Sequence, residues 1–350
     1  MKKIRVIQIG IGHDHARSSF ITMKNLSDRF EVVALGVPEG EEKFLKKYEG
    51  LLGDTKALSP IEALSLTGID AAVIETDDLL LTRYAIMAAE KGLHVQMDKP
   101  GGISQEDFER LASIQKKNKK VFHLGYMYRY NPAVKKLFSD VESGKLGEII
   151  SIEAQMSCSH KAVKRNWLAS FPGGMLYYLG CHLIDLVIRM QGIPEEIIPL
   201  SVCSGLDGAV GEDFGMAVLR YKKGSSVVKS SAVEIGGYVR RQLVVTGSLG
   251  TVELKPFEYY APAHEGWDLP LYTTVSEIYQ EDTVGKGWTD QRKIYDTEPY
   301  DRYIDMFLAF YSMVAEGTEN PYSYEYEATL HRAILRACGE DIDYKKEIIL

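Results

Sequence analysis

Ile4-Arg5-Val6-Ile7-Gln8-Ile9-Gly10-Ile11-Gly12-His13-Asp14-His15 is the stretch on which the fold turns. The apolar run Ile4–Ile9 reads as a buried strand, and a helical pattern from about Asp14 to Leu26 follows it. Gly10 and Gly12 permit a tight turn and close backbone approach, while the start of the helix presents free amides to a pyrophosphate. The third glycine of the G-x-G-x-x-G fingerprint is absent, because His15 stands there. Two glycines alone are a loose signal. Placed directly after the first strand of an alternating series, they specify a dinucleotide loop with Gly10, Ile11, Gly12, His13, Asp14 and His15 as cofactor-binding residues.

The series continues outward from that loop. Val32–Val37 reads as a second strand and Glu41–Tyr48 as helical. Asp70–Glu75 reads as a third strand, with Thr76 and Asp77 at its end as further cofactor contacts. Arg83–Lys91 is an alanine-rich helix stopped by Gly92, and His94–Met97 is the next strand. Ser104 caps a helix over Gln105–Lys117, its hydroxyl accepting from an early free amide, and Val121–Leu124 closes the set. Nearly continuous apolar strands alternating with helices mark a parallel sheet covered on both faces. After about residue 125 the texture changes. Helices are predicted at Pro132–Ser143, Gly174–Met190, Tyr303–Glu316 and Tyr324–Cys338. Between them, Ile149–Ser157, Ile197–Ser204, Phe214–Tyr221, Ser226–Glu234, Arg241–Thr246 and Thr251–Lys255 carry the period-two pattern of an antiparallel sheet. The chain is therefore read as α/β. Residues 1–124 form a doubly wound Rossmann domain, and 125–350 an α+β substrate and oligomerisation domain with a predominantly antiparallel, open-faced sheet.

Composition narrows the function. The 350 residues are 45% hydrophobic and 26% charged, with a net charge of −8. These are ordinary globular values, and an acidic balance argues against a nucleic-acid surface, which needs a basic field. The run Lys116-Lys117-Asn118-Lys119-Lys120 reads as the solvated end of a helix. No stretch approaches the ~18 apolar residues of a membrane span, and no secretory leader is expected. Cys158, Cys181, Cys203 and Cys338 are scattered, which fits free thiols in a cytoplasmic protein. His13-Asp14-His15 invites a metal reading. However, a metal site needs three or more converging ligands and no further cluster stands out, so no metal is expected.

With the glycine loop, Asp98-Lys99-Pro100 after a strand, and Gly180-x-His182-x-x-Asp185 on a later helix, the chain resembles the glucose–fructose oxidoreductase/inositol dehydrogenase/MocA family. Gly125–Pro132, Gly147-Glu148-Ile149 and Gly247–Leu254 are similar to further landmarks in the same order. The resemblance implies a Rossmann domain packed on an open-faced sheet with the active site between them, an NAD(P)-dependent oxidoreductase, and a homo-oligomer, dimer or tetramer. It places the family lysine on Lys99, preceded here by Asp98, and the family helix histidine on His182. Tyr178 stands where the family has aspartate, and Leu168 follows Trp167 where it has arginine.

The residues themselves suggest the chemistry. Oxidising a secondary alcohol needs a base at the hydroxyl as hydride leaves the same carbon. Lys99, following the fourth strand of the series beside Pro100, is placed for this and also counts among the cofactor contacts. His182 is the second catalytic candidate, with Tyr178 and Asp185 on its helix face by spacing. Tyr178 would orient or donate to His182. Tyr126, Tyr128, Arg129, Trp167 and Asp185 are the expected substrate-binding residues, aromatic faces suiting the C–H side of a sugar. At the end of the second strand Val37 stands where an acidic ribose reader belongs, and Glu39 is its nearest substitute. No arginine follows for a 2′-phosphate, which favours NAD without excluding NADP. The expected substrate is a sugar, glycoside or inositol. Two other functions fit: an NAD-dependent glycosidase working by transient oxidation and elimination, and a non-catalytic dinucleotide-binding regulator.

Overall fold

The computed structural model describes residues 2–260 and 270–350. They fall into two compact units, one of residues up to Met127 with Tyr303–His331 and Glu347–Leu350, the other of Tyr128–Arg302 with Arg332–Lys346.

The first unit is built on six parallel strands. In chain order the elements are β1 (Ile4–Ile9), α1 (Ala16–Asn25), β2 (Phe30–Gly36), β3 (Lys56–Leu58), α2 (Pro60–Leu64), β4 (Ala71–Ile74), α3 (Leu81–Glu90), β5 (His94–Met97), α4 (Gln105–Lys117) and β6 (Phe122–Leu124). Their order in the sheet is β3-β2-β1-β4-β5-β6, all pairs parallel. This reverses direction of growth at β1/β4, where doubly wound folds bind nucleotides. All four residues of β4 are buried, matching a strand covered on both faces. Ser59 starts α2 with a reciprocal capping box to Glu62, and the Ser104 hydroxyl accepts from the Asp107 amide at the start of α4, as its sequence predicts.

The second unit contains α5 (Pro132–Glu142), β7 (Ile149–Gln155), α6 (Ala162–Trp167), α7 (Cys181–Gln191), β8 (Glu196–Pro199), β9 (Phe214–Tyr221), β10 (Gly224–Ser231), β11 (Gln242–Gly247), β12 (Gly250–Leu254), the short pair β13 (Tyr259–Tyr260) and β14 (Leu271–Tyr272), β15 (Thr274–Tyr279), α8 (Gln280–Thr283) and β16 (Lys293–Asp296). Eight strands run β16-β15-β12-β11-β7-β10-β9-β8. Every pairing is antiparallel except β7 with β10. The alternation of β9, buried at Gly215, Ala217 and Leu219 and more open between, is that of a sheet with one covered face.

Several expectations are corrected here. The helix expected over Gly174–Met190 opens with a π-helical turn at Leu176–Gly180 and continues as α7. The strand expected over Ile197–Ser204 keeps only Glu196–Pro199. The strand β16 has no buried residue, so its sequence carries no apolar alternation to read. The last helices, α9 (Ile304–Tyr311) and α10 (Tyr324–Ala337), differ most from a boundary at 124/125. Residues Tyr303–His331 group with the first unit. There Phe307 and Tyr311 meet Phe30 edge-on at 6.0 and 5.9 Å, and the Tyr311 hydroxyl donates to the Lys2 carbonyl. A fully buried phenylalanine contributes about 1.5–3 kcal/mol, which is reason enough for the chain to return.

Candidate functional site

In the first unit, β1 delivers the glycine loop onto the turn after β4. Gly10 has φ +96°, and a Cβ there would lie 2.3 Å from the Thr76 amide nitrogen, so no side chain fits. The helix α1 starts at Ala16 with no side-chain cap and no acid in its first turn, which leaves its amides suited to an anion. Glu41 lies across the loop. Its carboxylate accepts from the Ile11 amide at 2.6 Å, the Thr76 hydroxyl at 2.5 Å and the Asp77 amide at 3.0 Å, and a Cβ at Gly12 would meet it at 2.7 Å. Glu39, the acid expected to read a ribose, is exposed, as is Asp14. The chain turns back at Pro38, whose carbonyl accepts from the Glu41 amide, so the acid that reaches the loop comes five residues after the strand.

The turn after β5 carries Asp98, Lys99 and Pro100, all buried, with Lys99 2% exposed. The Lys99 amide donates to Asp98 Oδ1 at 2.6 Å. Downstream, the Gly101 carbonyl accepts from the Thr82 hydroxyl at 2.6 Å, and the Gly102 carbonyl from His331 Nε2 at 2.7 Å. The turn is thereby fixed from α3 on one side and α10 on the other.

Beside Lys99 lies a buried group that linear reading missed. Asp98 Oδ2 is 3.0 Å from His15 Nδ1 and 3.3 Å from His13 Nδ1. His13 Nε2 is 3.5 Å from Asp78 Oδ1, and its Nδ1 is 3.8 Å from Glu75 Oε2. Burial pulls the His13 pKa down, but Asp98 and Asp78 outweigh it and the net shift is upward. At His15 burial prevails over Asp98, and the shift is downward. Burial and then the Asp98 charge push Glu75 well above the usual carboxylate range. Asp98 is held below that range despite its burial, by His13, His15 and Lys99. Asp98, which lies 83 residues beyond His15 in the chain, thus joins His13 and His15 in one buried cluster that the linear sequence does not show. Tyr126, expected to touch substrate, is buried within this unit.

The second unit gathers the other sequence-selected residues. Arg129 grips Asp185 through Nε–Oδ2 at 2.9 Å and Nη2–Oδ1 at 2.8 Å. The His182 ring, 1% exposed, meets the edge of Tyr128 at 4.8 Å. Tyr128 stacks on Phe257 and donates to Glu258 Oε1 at 2.6 Å. Glu258 also takes Arg241 at 3.2 Å and Arg302 at 2.6 Å. Tyr178 meets Trp167 edge-on at 5.3 Å, and the Lys164 ammonium lies 3.7 Å from the Trp167 ring centre and 4.5 Å from that of Tyr178, a cation–π arrangement. Cys158 Sγ is 3.2 Å from His160 Nε2. Glu258, Arg241, Arg302, Lys164 and the Cys158–His160 pair come from segments with no shared motif, and no local pattern announces them.

Residues 134–253 match the model of the GFO/IDH/MocA C-terminal domain. An oxidoreductase of Rhizobium meliloti is 29% identical over 202 residues, 56% of this chain and 58% of the relative. The chain thus spans little more than half of that protein's length. The myo-inositol 2-dehydrogenase of Thermotoga maritima is 24% identical over 255 residues, 71% of this chain and 74% of the relative. Levoglucosan dehydrogenase, solved with NADH and levoglucosan, superposes with a TM-score of 0.78 at 16% identity, covering 96% of this chain and 97% of that one.

Proposed function

We propose that the chain, whose residues 134–253 match the GFO/IDH/MocA C-terminal domain, is an NAD(P)-dependent oxidoreductase of that family acting on a secondary alcohol of a sugar, glycoside or inositol. The observation that carries this reading is the burial of Lys99 in the same parallel-sheet unit as the glycine loop, on a turn pinned by Thr82 and His331. The residues fit a dinucleotide. The side-chain-free approach at Gly10 and the uncapped start of α1 suit a pyrophosphate. Glu41, rather than Glu39, is the acid whose carboxylate lies across the loop, and its charge disfavours a 2′-phosphate there, which favours NAD.

A bound nicotinamide supplies the hydride acceptor for oxidation and the donor for reduction. Lys99, as the free amine, takes the hydroxyl proton and returns it in the reverse direction. The Asp98 carboxylate fixes the Lys99 backbone through its amide. His182 is the second proton-transfer candidate, with its ring held against Tyr128. Trp167 and Tyr178 offer aromatic faces to the C–H side of a sugar ring. Arg129 and Asp185, engaged with each other, position α7 rather than touch substrate. The reading carries with it a two-domain division of labour, dinucleotide binding in the first unit and substrate binding in the second, and a homo-oligomeric assembly.

A panel of sugars, glycosides and inositols with NAD or NADP, followed by absorbance of the reduced nicotinamide, tests the class. Lys99→Ala is expected to lower turnover about 10³-fold while cofactor binding, read by fluorescence, is kept. Undiminished turnover in that variant removes Lys99 from the mechanism. Release of an aglycone without net reduction of cofactor would replace the dehydrogenase by a redox-assisted glycosidase.

A further inference from the structure

One donor atom each from His13, His15 and Asp98 lies within 4.8 Å of the other two. The loop into α1 brings two of them, and the end of β5 brings the third. Donors about 2.0–2.1 Å from a tetrahedral ion stand about 3.3 Å apart. The His15 Nδ1–Asp98 Oδ2 and His13 Nδ1–Asp98 Oδ2 separations are 3.0 and 3.3 Å.

Hydrogen bonding alone satisfies this group poorly. His13 Nδ1 accepts the His15 amide at 3.2 Å, and an imidazole nitrogen that accepts cannot also donate to Asp98. Glu75 is completely buried, its Oε2 points at His13, and neither of its oxygens has a hydrogen-bond partner among the described residues. On the far side of the His13 ring, Asp78 Oδ1 stands 3.5 Å from Nε2. Metal-bound histidines characteristically present their second nitrogen to such a carboxylate.

We propose that His13, His15 and Asp98 form a binding site for one divalent first-row transition ion, with Asp78 orienting His13 and the buried Glu75 carboxyl lying outside the ligand set. Two imidazole nitrogens and one carboxylate oxygen suit Zn²⁺ or its neighbours in the series. Mg²⁺ and Ca²⁺ take oxygen donors instead. His13 and His15 also belong to the glycine loop, but the test uses no nucleotide, so failure of this site and failure of the hydride-transfer reading are distinguishable.

The full-length protein, stripped with EDTA, is titrated with Co²⁺ and followed by visible ligand-field absorption, then with Zn²⁺ by calorimetry. One ion per chain is expected, with a Zn²⁺ Kd below about 1 µM. His15→Ala and Asp98→Asn are each expected to weaken binding at least about 100-fold, and Asp78→Asn about 10-fold, with circular dichroism confirming that each variant is folded. No Co²⁺ spectrum from the wild-type chain at about 100 µM ion overturns the site whatever the variants do. Undiminished affinity in His15→Ala also overturns it. So does binding lost in His160→Ala and kept in His15→Ala, which would move the ion to the Cys158–His160 pair.

Discussion

Two buried charge groups, one in each unit, are handled in opposite ways. Arg129 and Asp185 have side chains 1% exposed each and meet through two parallel bonds. His13 and Asp98, at 1% and 3%, are as deeply buried. Yet one Asp98 oxygen faces two imidazoles while Asp78 and Glu75 crowd the same ring. A planar fork on a carboxylate matches donors to acceptors and charge to charge. Such a pair fixes the backbone that carries it. In the imidazole–carboxylate group, by contrast, His13 Nδ1 faces both Asp98 and the His15 amide, so donors and acceptors are not matched one to one. Breaking the matched pair should have the largest effect. Arg129→Met leaves the Asp185 charge buried without its guanidinium, so a loss of about 3–5 kcal/mol of stability is expected in urea unfolding. Arg129→Met with Asp185→Leu should recover most of it, because both charges then leave together. A single-variant loss below about 1 kcal/mol would show the pair to be no more than a surface-like contact.

His331 sharpens the contrast from within the first unit, because it is buried with no carboxylate in hydrogen-bonding contact among the described residues. Its ring stacks on Phe108 at 4.2 Å, and burial pushes its pKa down to about 4, whereas at His13 the aspartates turn the shift upward. The ring is neutral in the fold and titrates near 6.5 in the unfolded chain. Between those values the unfolded state binds more protons, so stability rises with pH. The contribution is complete above about pH 6.5 and is lost as pH falls toward 4, amounting to about 3 kcal/mol. His331→Gln keeps a donor for Gly102 and removes the titration. Its unfolding midpoint should therefore fall less steeply between about pH 7 and pH 4.5 than that of the wild type. Parallel pH profiles would show that His331 does not titrate in this window. His94, with its pKa lowered to about 4 by burial and Lys120, adds slope in the same direction and is left in place.

The contrast also marks where sequence reading works. Apolar runs and glycines are local, so the strands β1, β2, β4, β5 and β6 and the turn at Gly10 were legible within a residue or two. The class of the second unit followed from period-two strands, although the edge strand β16, exposed throughout, left no pattern. Return of the chain at Tyr303–His331 to the first unit was illegible, because burial of Phe307 against Phe30 depends on a contact between distant segments. The same limit governs the candidate site. Lys99, His182 and the glycine loop lie in short motifs. Glu41 escaped notice because a turn at Pro38 separates it from the strand end where an acid is sought. Asp78, Glu75 and Asp98 joined His13 only through sheet order, β4 lying between β1 and β5. Charge partners assembled by topology carry no spacing signal.

Arg165 offers the finest division, because one guanidinium has two aspartates in different surroundings. Asp213, fully buried, takes Nη1 at 3.0 Å, while Asp207, 78% exposed, takes Nη2 at 2.5 Å. Asp213 is also tied to the Ser204 amide and hydroxyl, and these bonds together with Arg165 hold its carboxyl below the usual range despite its burial. Water replaces Asp207 readily, because an exposed partner has already kept much of its hydration. Asp213→Asn strips the buried cation of its enclosed partner and is expected to cost about 3 kcal/mol. Asp207→Asn should cost about 0.5 kcal/mol and lose even that in high salt. Equal losses for the two variants, measured side by side by urea unfolding in low and high salt, would mean that burial does not set the strength of this pair. The matched-pair account of the second unit would then fail at the place where the two environments share one arginine.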